Sequence, residues 1–321
     1  MSVYNFNKTV IMICYTASLM FLYSHFVSST DIEDPTEQLE RISNSLFVLE
    51  PGAYPYFVSI QEPDPEDPTG YRQHCGGSLL TRRIVLTAAH CVQNASMVFK
   101  YRVMPNTRNL GFIDVHDVTY GIASYVIHPG YGHSEVKIQH DIAVLLLDHP
   151  DPRSGATIAL PVTPPPLCVP LTMIGLGMTE VGIWPVTLRQ TGVFILPDIA
   201  CGAANNVQEY VPGFNLCVAN AIVSSVCIGD SGGPLIYTLN NINYVVGVIA
   251  SAYPPCGRYS ISNLVNVFSH LQFIASSMLA LNRDELKSDQ IQYVKRSMDS
   301  KSDSNMTNGM TDLNIIVPFK H

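Results

Sequence analysis

Residues 42 to about 263 carry short apolar runs separated by breaks, with no long helical stripe. Tyr56-Phe57-Val58-Ser59-Ile60, Ile84-Val85-Leu86-Thr87 and Tyr244-Val245-Val246-Gly247-Val248-Ile249 are rich in β-branched and aromatic residues. Clusters of Gly, Pro and Asn stand between such runs. Side chains branched at Cβ pack well on a pleated surface, whereas Gly, Pro and Asn supply the backbone angles of turns. The pattern predicts an all-β barrel or sandwich. Strands do not alternate with long helices, which argues against a doubly wound sheet. The spacing changes at Leu264. Leu264, Val267, Phe268, Leu271, Ile274, Ala275, Met278 and Leu279 recur at helical intervals, predicting one amphipathic helix over residues 264–281.

The flanks differ from this body. Lys8 is followed by an apolar stretch over residues 9–27 with no Asp, Glu, Lys or Arg, ending in Val27-Ser28-Ser29. It reads as a signal peptide over residues 1–29; an uncleaved membrane anchor is the second reading. Either way the remaining chain faces an oxidising compartment, and its cysteines can pair. Residues 30–41 are short, polar and acidic, as in a propeptide or linker, and residues 283–321 read as a disordered tail. Residues 161–170 are Pro-rich between strand-like flanks. A connection between two β units fits them better than a Pro-docking ligand motif.

The chain has 321 residues, 47% hydrophobic and 14% charged, enough apolar matter for a sizeable core. Its net charge of -8, with no basic run, excludes a nucleic-acid partner.

The chemistry concentrates in three strings. Gly229-Asp230-Ser231-Gly232-Gly233-Pro234 has a chance expectation of roughly one in 10^5 in a chain of this size. Thr87-Ala88-Ala89-His90-Cys91 follows a strand, and Asp141-Ile142-Ala143-Val144-Leu145-Leu146 opens another. A Ser hydroxyl is a weak nucleophile at neutral pH and needs a neighbouring base, which in turn needs an orienting carboxylate. The order His, Asp, Ser with these neighbours resembles the chymotrypsin-like serine endopeptidases, over about residues 42–281.

The resemblance implies two antiparallel six-stranded β-barrels with a C-terminal helix, the site lying between them. It implies amide hydrolysis through an acyl-enzyme, with no cofactor and no metal. His90 would take the Ser231 proton and pass it to the leaving amine, and Asp141 would orient the imidazole. The N–H groups of Gly229 and Ser231 would face the developing oxyanion. Disulfides would join Cys75 to Cys91, Cys201 to Cys217 and Cys227 to Cys256. A further bridge of many relatives would fall at Leu171 and Tyr237, neither of which is cysteine. Cys168 is left as either a buried free thiol or an intermolecular bridge. No CxxC-type ligand pair is present, which disfavours a zinc site.

Relatives are zymogens, and cleavage between Arg41 and Ile42 would free an amine to pair with Asp230. The usual glycines are missing here, and the start lies one residue too far upstream. Ser225 falls at the pocket base, where a basic side chain before the cut would need an acid. Ala250, Ser251, Ala252 and Ser262 would form uncharged, narrowed walls. The expected preference is therefore for small or medium uncharged side chains. Gly175-Leu176-Gly177 replaces the family's Gly-Trp-Gly; as a nucleotide loop it would lack the third glycine. Glu62, Asp64, Glu66 and Asp67 form an acidic loop, by itself a solvated turn; the resemblance would place it on the leaving-group side of the cleft. Asn94 and Asn305 open glycosylation sequons. The expected partners are protein or peptide substrates and an activating protease, for a monomer secreted outside the cell; a membrane enters only if the N-terminal segment stays uncleaved. A catalytically silent homologue acting by binding remains the alternative.

Overall fold

The computed structural model describes residues 46–48, 52–107, 110, 118–133, 138–153, 156–179, 182–202, 210–219, 226–251, 261–281 and 315–316. In chain order the strands are β1 (Leu46–Phe47), β2 (Phe57–Pro63), β3 (Tyr71–Leu79), β4 (Ile84–Thr87), β5 (Arg102–Pro105), β6 (Ile122–Ile127), β7 (Gly132–His133) and β8 (Ile138–Gln139). They continue as β9 (Ala143–Leu147), β10 (Leu171–Gly175), β11 (Arg189–Ile195), β12 (Asn215–Ala219), β13 (Pro234–Leu239), β14 (Ile242–Ile249), β15 (Ile261–Asn266) and β16 (Ile315–Ile316).

Six of these, in the order β6-β9-β4-β3-β2-β5, build the first barrel, with β16 added along β6. Val103 and Tyr120 exchange backbone hydrogen bonds of 2.8 and 2.9 Å, which brings β5 back to the approach to β6. The second barrel runs β11-β10-β13-β14-β15-β12 and closes through a β11–β12 pairing, with β1 added on β11. All these strand pairings are antiparallel. Closure removes the sheet edges that would otherwise invite pairing with other chains.

The apolar runs are continuous because these strands are covered on both faces. All four residues of β4 and all five of β9 are buried. The helix Leu271–Leu281 lies on β6 and β9 and covers one side of that wall. It is shorter than the helical spacing predicted. Leu264 stands in β15, opposite Leu216 of β12 and Ile249 of β14, and Phe268–His270 form a separate 3-10 turn. A few apolar residues at i, i+3 and i+4 also fit a strand end followed by a turn, and pairing on both sides decides between them. In the tail, Ile315 and Ile316 pair with Val126 and Tyr125.

Residues 161–170 connect β9 of the first barrel to β10 of the second. Leu171 is buried in the second barrel's core with Tyr237 packed against the same cluster, so apolar contact occupies the place where many relatives have a bridge. Cys75–Cys91 and Cys201–Cys217 are disulfides, with Cα–Cα distances of 6.2 and 5.9 Å. Cys227 is also disulfide-bonded; Cys256 lies outside the described residues. Cys168 is disulfide-bonded within this chain as well, which corrects both the free-thiol and the intermolecular-bridge readings.

Candidate active site

The two barrels meet at β3 and the turn before β13. Gly76 N–H donates to the Ser231 carbonyl at 2.7 Å, and a Cβ on Gly76 would lie 2.9 Å from Gly233 Cα. Only a residue without a side chain lets the backbones come this close.

His90 stands just after β4, behind the buried Ala88 and Ala89, in the 3-10 turn His90–Val92. The Cys75–Cys91 disulfide ties that turn to β3. Thr87 of β4 pairs with Ala143 of β9, which brings the residues just before β9 alongside His90. Asp141 there is fully buried, and both its oxygens are used. Oδ1 accepts the His90 backbone N–H at 2.8 Å, and Oδ2 accepts Nδ1–H at 2.7 Å. Because a carboxylate only accepts, Nδ1 carries the proton and Nε2 is left as the basic nitrogen. Burial works to lower the His90 pKa, but the charge of Asp141 and its hydrogen bond outweigh it, and the net shift is upward from 6.5.

Ser231 is 8% exposed and sits on a turn locked by backbone bonds. Gly232 N–H donates to Ile249 O at 2.7 Å, and Gly233 N–H to Asp230 O at 2.9 Å. Gly232 has φ +82, and a Cβ there would lie 2.2 Å from Thr87 Oγ1, so both angle and space demand glycine. Cys91 Sγ lies 3.8 Å from His90 Nε2 and 3.8 Å from the Ser231 carbonyl oxygen, which puts both residues around one sulfur. Among the described residues the Ser231 hydroxyl accepts and donates no hydrogen bond. Such contacts commonly tighten only when substrate arrives.

Gly229 has φ +93, a backbone angle that favours glycine. Its carbonyl accepts a hydrogen bond from Gln73 Nε2 at 3.1 Å, and Gln73 is held by the Ser59 hydroxyl at 2.6 Å. Sequence reasoning passed over Gln73. Its only signal is a glutamine placed where β3 turns inward, and nothing local distinguishes it from a core-lining polar residue. The Trp184 ring also covers Gly229; a Cβ there would be 2.6 Å from it.

Asp230 is buried and accepts backbone N–H groups from Gly177 at 2.7 Å and Cys227 at 2.9 Å. Desolvation pushes its pKa up to about 6 despite those two bonds. Gly175 and Gly177 make room for this carboxylate: a Cβ would meet it at 2.0 and 2.4 Å respectively. The Gly-Leu-Gly string is thus a cradle for an aspartate.

Of the expected pocket walls, Ala250, Ser251 and Ser262 are buried, and Ser262 lies opposite Val218 across β12 and β15. The Ser251 hydroxyl has no hydrogen-bond partner among the described residues. Ser225, Ala252, Arg41, Ile42 and Asn305 lie outside the described residues. Asn94 is exposed and bonded to Ser96 within its sequon. The acidic loop is a hairpin tip between β2 and β3. Glu62 pairs with Arg72 at 2.7 Å and His74 at 3.5 Å, Asp64 holds Glu66 N–H, and Asp67 holds Thr69. Three of the four acids therefore serve the hairpin itself.

The sequence model of the family described as Trypsin matches residues 47–274. The chain belongs to the trypsin family. It is 33% identical over 183 residues to brachyurin from Leptuca pugilator, covering 56% of this chain and 76% of that protein. It is 33% identical over 206 residues to chymotrypsin from Phaedon cochleariae, covering 62% and 70%. To serine protease grass of Drosophila melanogaster it is 28% identical over 238 residues, covering 64% and 60%. This trypsin-family protein is a serine endopeptidase. Among its described residues no helix is long and apolar enough to cross a membrane.

Proposed function

We propose that this endopeptidase is secreted as a monomeric zymogen, activated by a protease cutting between Arg41 and Ile42, and that His90, Asp141 and Ser231 carry the chemistry. The observation that supports the triad most directly is the doubly bonded Asp141, which leaves His90 Nε2 as the base beside the Ser231 turn. Nε2 takes the hydroxyl proton as Ser231 Oγ attacks the scissile carbonyl, and Asp141 stabilises the imidazolium that forms. The backbone N–H groups of Gly229 and Ser231 receive the oxyanion; its collapse breaks the C–N bond as the His90 imidazolium gives its proton to the leaving amine. Water, deprotonated by Nε2, then attacks the acyl-enzyme, the proton returning to Ser231 Oγ as the acid leaves. The Ile228 carbonyl shares its peptide with the Gly229 N–H and accepts the Met178 N–H at 2.8 Å, which resists a flip that would withdraw that N–H.

The upward shift of His90 fixes the sign of the pH profile. The imidazole must be neutral to act as base, so kcat/KM falls as pH drops through the raised His90 pKa, with the acid limb centred above 6.5. In Asp141→Asn the residual activity has its acid limb at lower pH, because the stabilising charge is gone. An inflection at or below 6.5 in the intact enzyme contradicts the pairing.

Buried Ala250, Ser251 and Ser262 support a narrow, uncharged pocket. The specificity test is digestion of an unbiased peptide library by the cut protein. Cleavage after small or medium uncharged residues is expected. Dominant cleavage after Arg or Lys overturns the pocket reading, and absence of any cleavage favours a catalytically silent binding protein.

A further inference from the structure

Beside Asp141 in the chain, at His140, three histidines from separate parts of the chain converge. His128 directly follows β6, His140 directly precedes Asp141, and His270 ends the turn before the C-terminal helix. One nitrogen from each ring lies within 4.8 Å of the other two. His140 Nδ1 and His270 Nε2 are 2.9 Å apart, and the His128 and His140 rings stack at 4.4 Å. Phe214 and Phe273 close the cluster edge-on, at 4.7 Å from His140 and from His128. His270 is buried while the other two are partly open.

We propose that His128, His140 and His270 bind a divalent transition-metal ion of the zinc type, and that its binding lowers peptide hydrolysis by moving Asp141. Three imidazoles with no carboxylate suit zinc, cobalt or nickel and not calcium or magnesium. His270 is oriented as zinc-bound histidines usually are: its Nδ1–H donates to the Asn266 carbonyl at 2.7 Å, which directs Nε2 into the cluster. Three histidines and a water complete a tetrahedral ion.

The metal-free arrangement differs from the bound one in a definite way. With His270 Nδ1 protonated, the 2.9 Å contact is His140 Nδ1–H donating to His270 Nε2. Ligation through His140 Nδ1 breaks that bond and sends the proton to His140 Nε2. Two nitrogens on a tetrahedral ion, each bonded at 2.0–2.1 Å, sit about 3.3 Å apart, so His140 has to move outward by about 0.4 Å. His128 Nδ1 accepts the Gly130 N–H at 3.0 Å, so its tautomer or ring orientation must change too. These rearrangements make the site weaker than a structural zinc centre, and therefore responsive to ion concentration. The displacement reaches the cleft because His140 has φ 52 and its carbonyl takes the Ile142 N–H at 2.7 Å, wrapping the backbone tightly around Asp141. The ion site needs no catalytic activity; only its effect on hydrolysis rests on the proposed triad.

The test titrates the full chain with CoCl2, reading the visible absorption of tetrahedral cobalt, and with ZnCl2, reading peptide hydrolysis and its recovery on chelation. One cobalt per chain is expected, with a zinc-dependent loss of hydrolysis of about tenfold or more. His140→Asn, chosen because Asn tolerates the left-handed angle, and His128→Gln should each lose the cobalt absorption and the zinc sensitivity. A wild-type chain without tetrahedral cobalt overturns the site. So does cobalt or zinc sensitivity that persists in both variants, since the ion would then act elsewhere, for example on His90. Cobalt bound by the three histidines with hydrolysis unchanged by zinc overturns the coupling to Asp141 and leaves the activity reading intact.

Discussion

Ser231→Ala lowers turnover on peptide substrates by on the order of 10^4-fold or more, the magnitude that loss of the nucleophile has in serine proteases with this type of triad. The variant should fold. The Ser231 carbonyl, not its hydroxyl, carries the 2.7 Å bond to Gly76, and the hydroxyl makes no hydrogen bond among the described residues. Removing it therefore leaves the turn and the meeting of the barrels in place. The backbone N–H groups remain to receive an oxyanion, so a small residual rate over water is expected. The measurement is single-turnover hydrolysis on the purified variant, together with labelling by a fluorophosphonate. Hydrolysis and labelling at wild-type levels would remove Ser231 from the mechanism.

Arg41→Gln keeps the protein uncut by trypsin-like enzymes and almost inactive, and the defect is not repaired by adding substrate. The reason lies at Asp230, whose buried carboxylate accepts the Gly177 and Cys227 N–H groups among the described residues and has a pKa of about 6. The sign of the accompanying stability change follows. An Asp whose folded pKa lies above 3.8 gives up its proton first in the unfolded chain, so the uncut protein loses stability as pH rises from about 4 to about 6. The loss is about 3 kcal/mol for a shift of this size. Under the proposed activation, a new Ile42 amine paired with Asp230 would offset it by lowering that pKa again. Thermal unfolding of cut wild type and of Arg41→Gln across this pH window should diverge as pH rises, with the cut form the more stable near neutrality. Full activity in uncut Arg41→Gln, or superimposable pH profiles, would sink the idea that this amine matters.

Features that depend on local chemistry were legible in the order of amino acids alone. Continuous β-branched runs such as Ile84-Val85-Leu86-Thr87 read as buried strands, and the strings around His90, Asp141 and Ser231 carried enough information to name a reaction class. Turn glycines were legible for the same reason, since the need for positive φ at Gly229 and Gly232 belongs to the backbone of one turn. Pairing across the chain was not. Leu264 has the same side chain in a helix as in a strand, and only β12 and β14 on either side of it decide. The acidic loop showed its charges in the sequence but not their partners: Arg72 and His74 stand against Glu62 because strands β2 and β3 fold back on each other. Gln73 gains its hold on Gly229 from a residue 156 positions away. His140 and His270 are 130 positions apart and share no spacing that a ligand pattern would recognise. Their nitrogens meet because one barrel supplies β6 and the Asp141 loop while the chain leaving the other barrel lays its helix across them. A pattern of neighbours along the chain records the first kind of constraint, and only closure of both barrels creates the second.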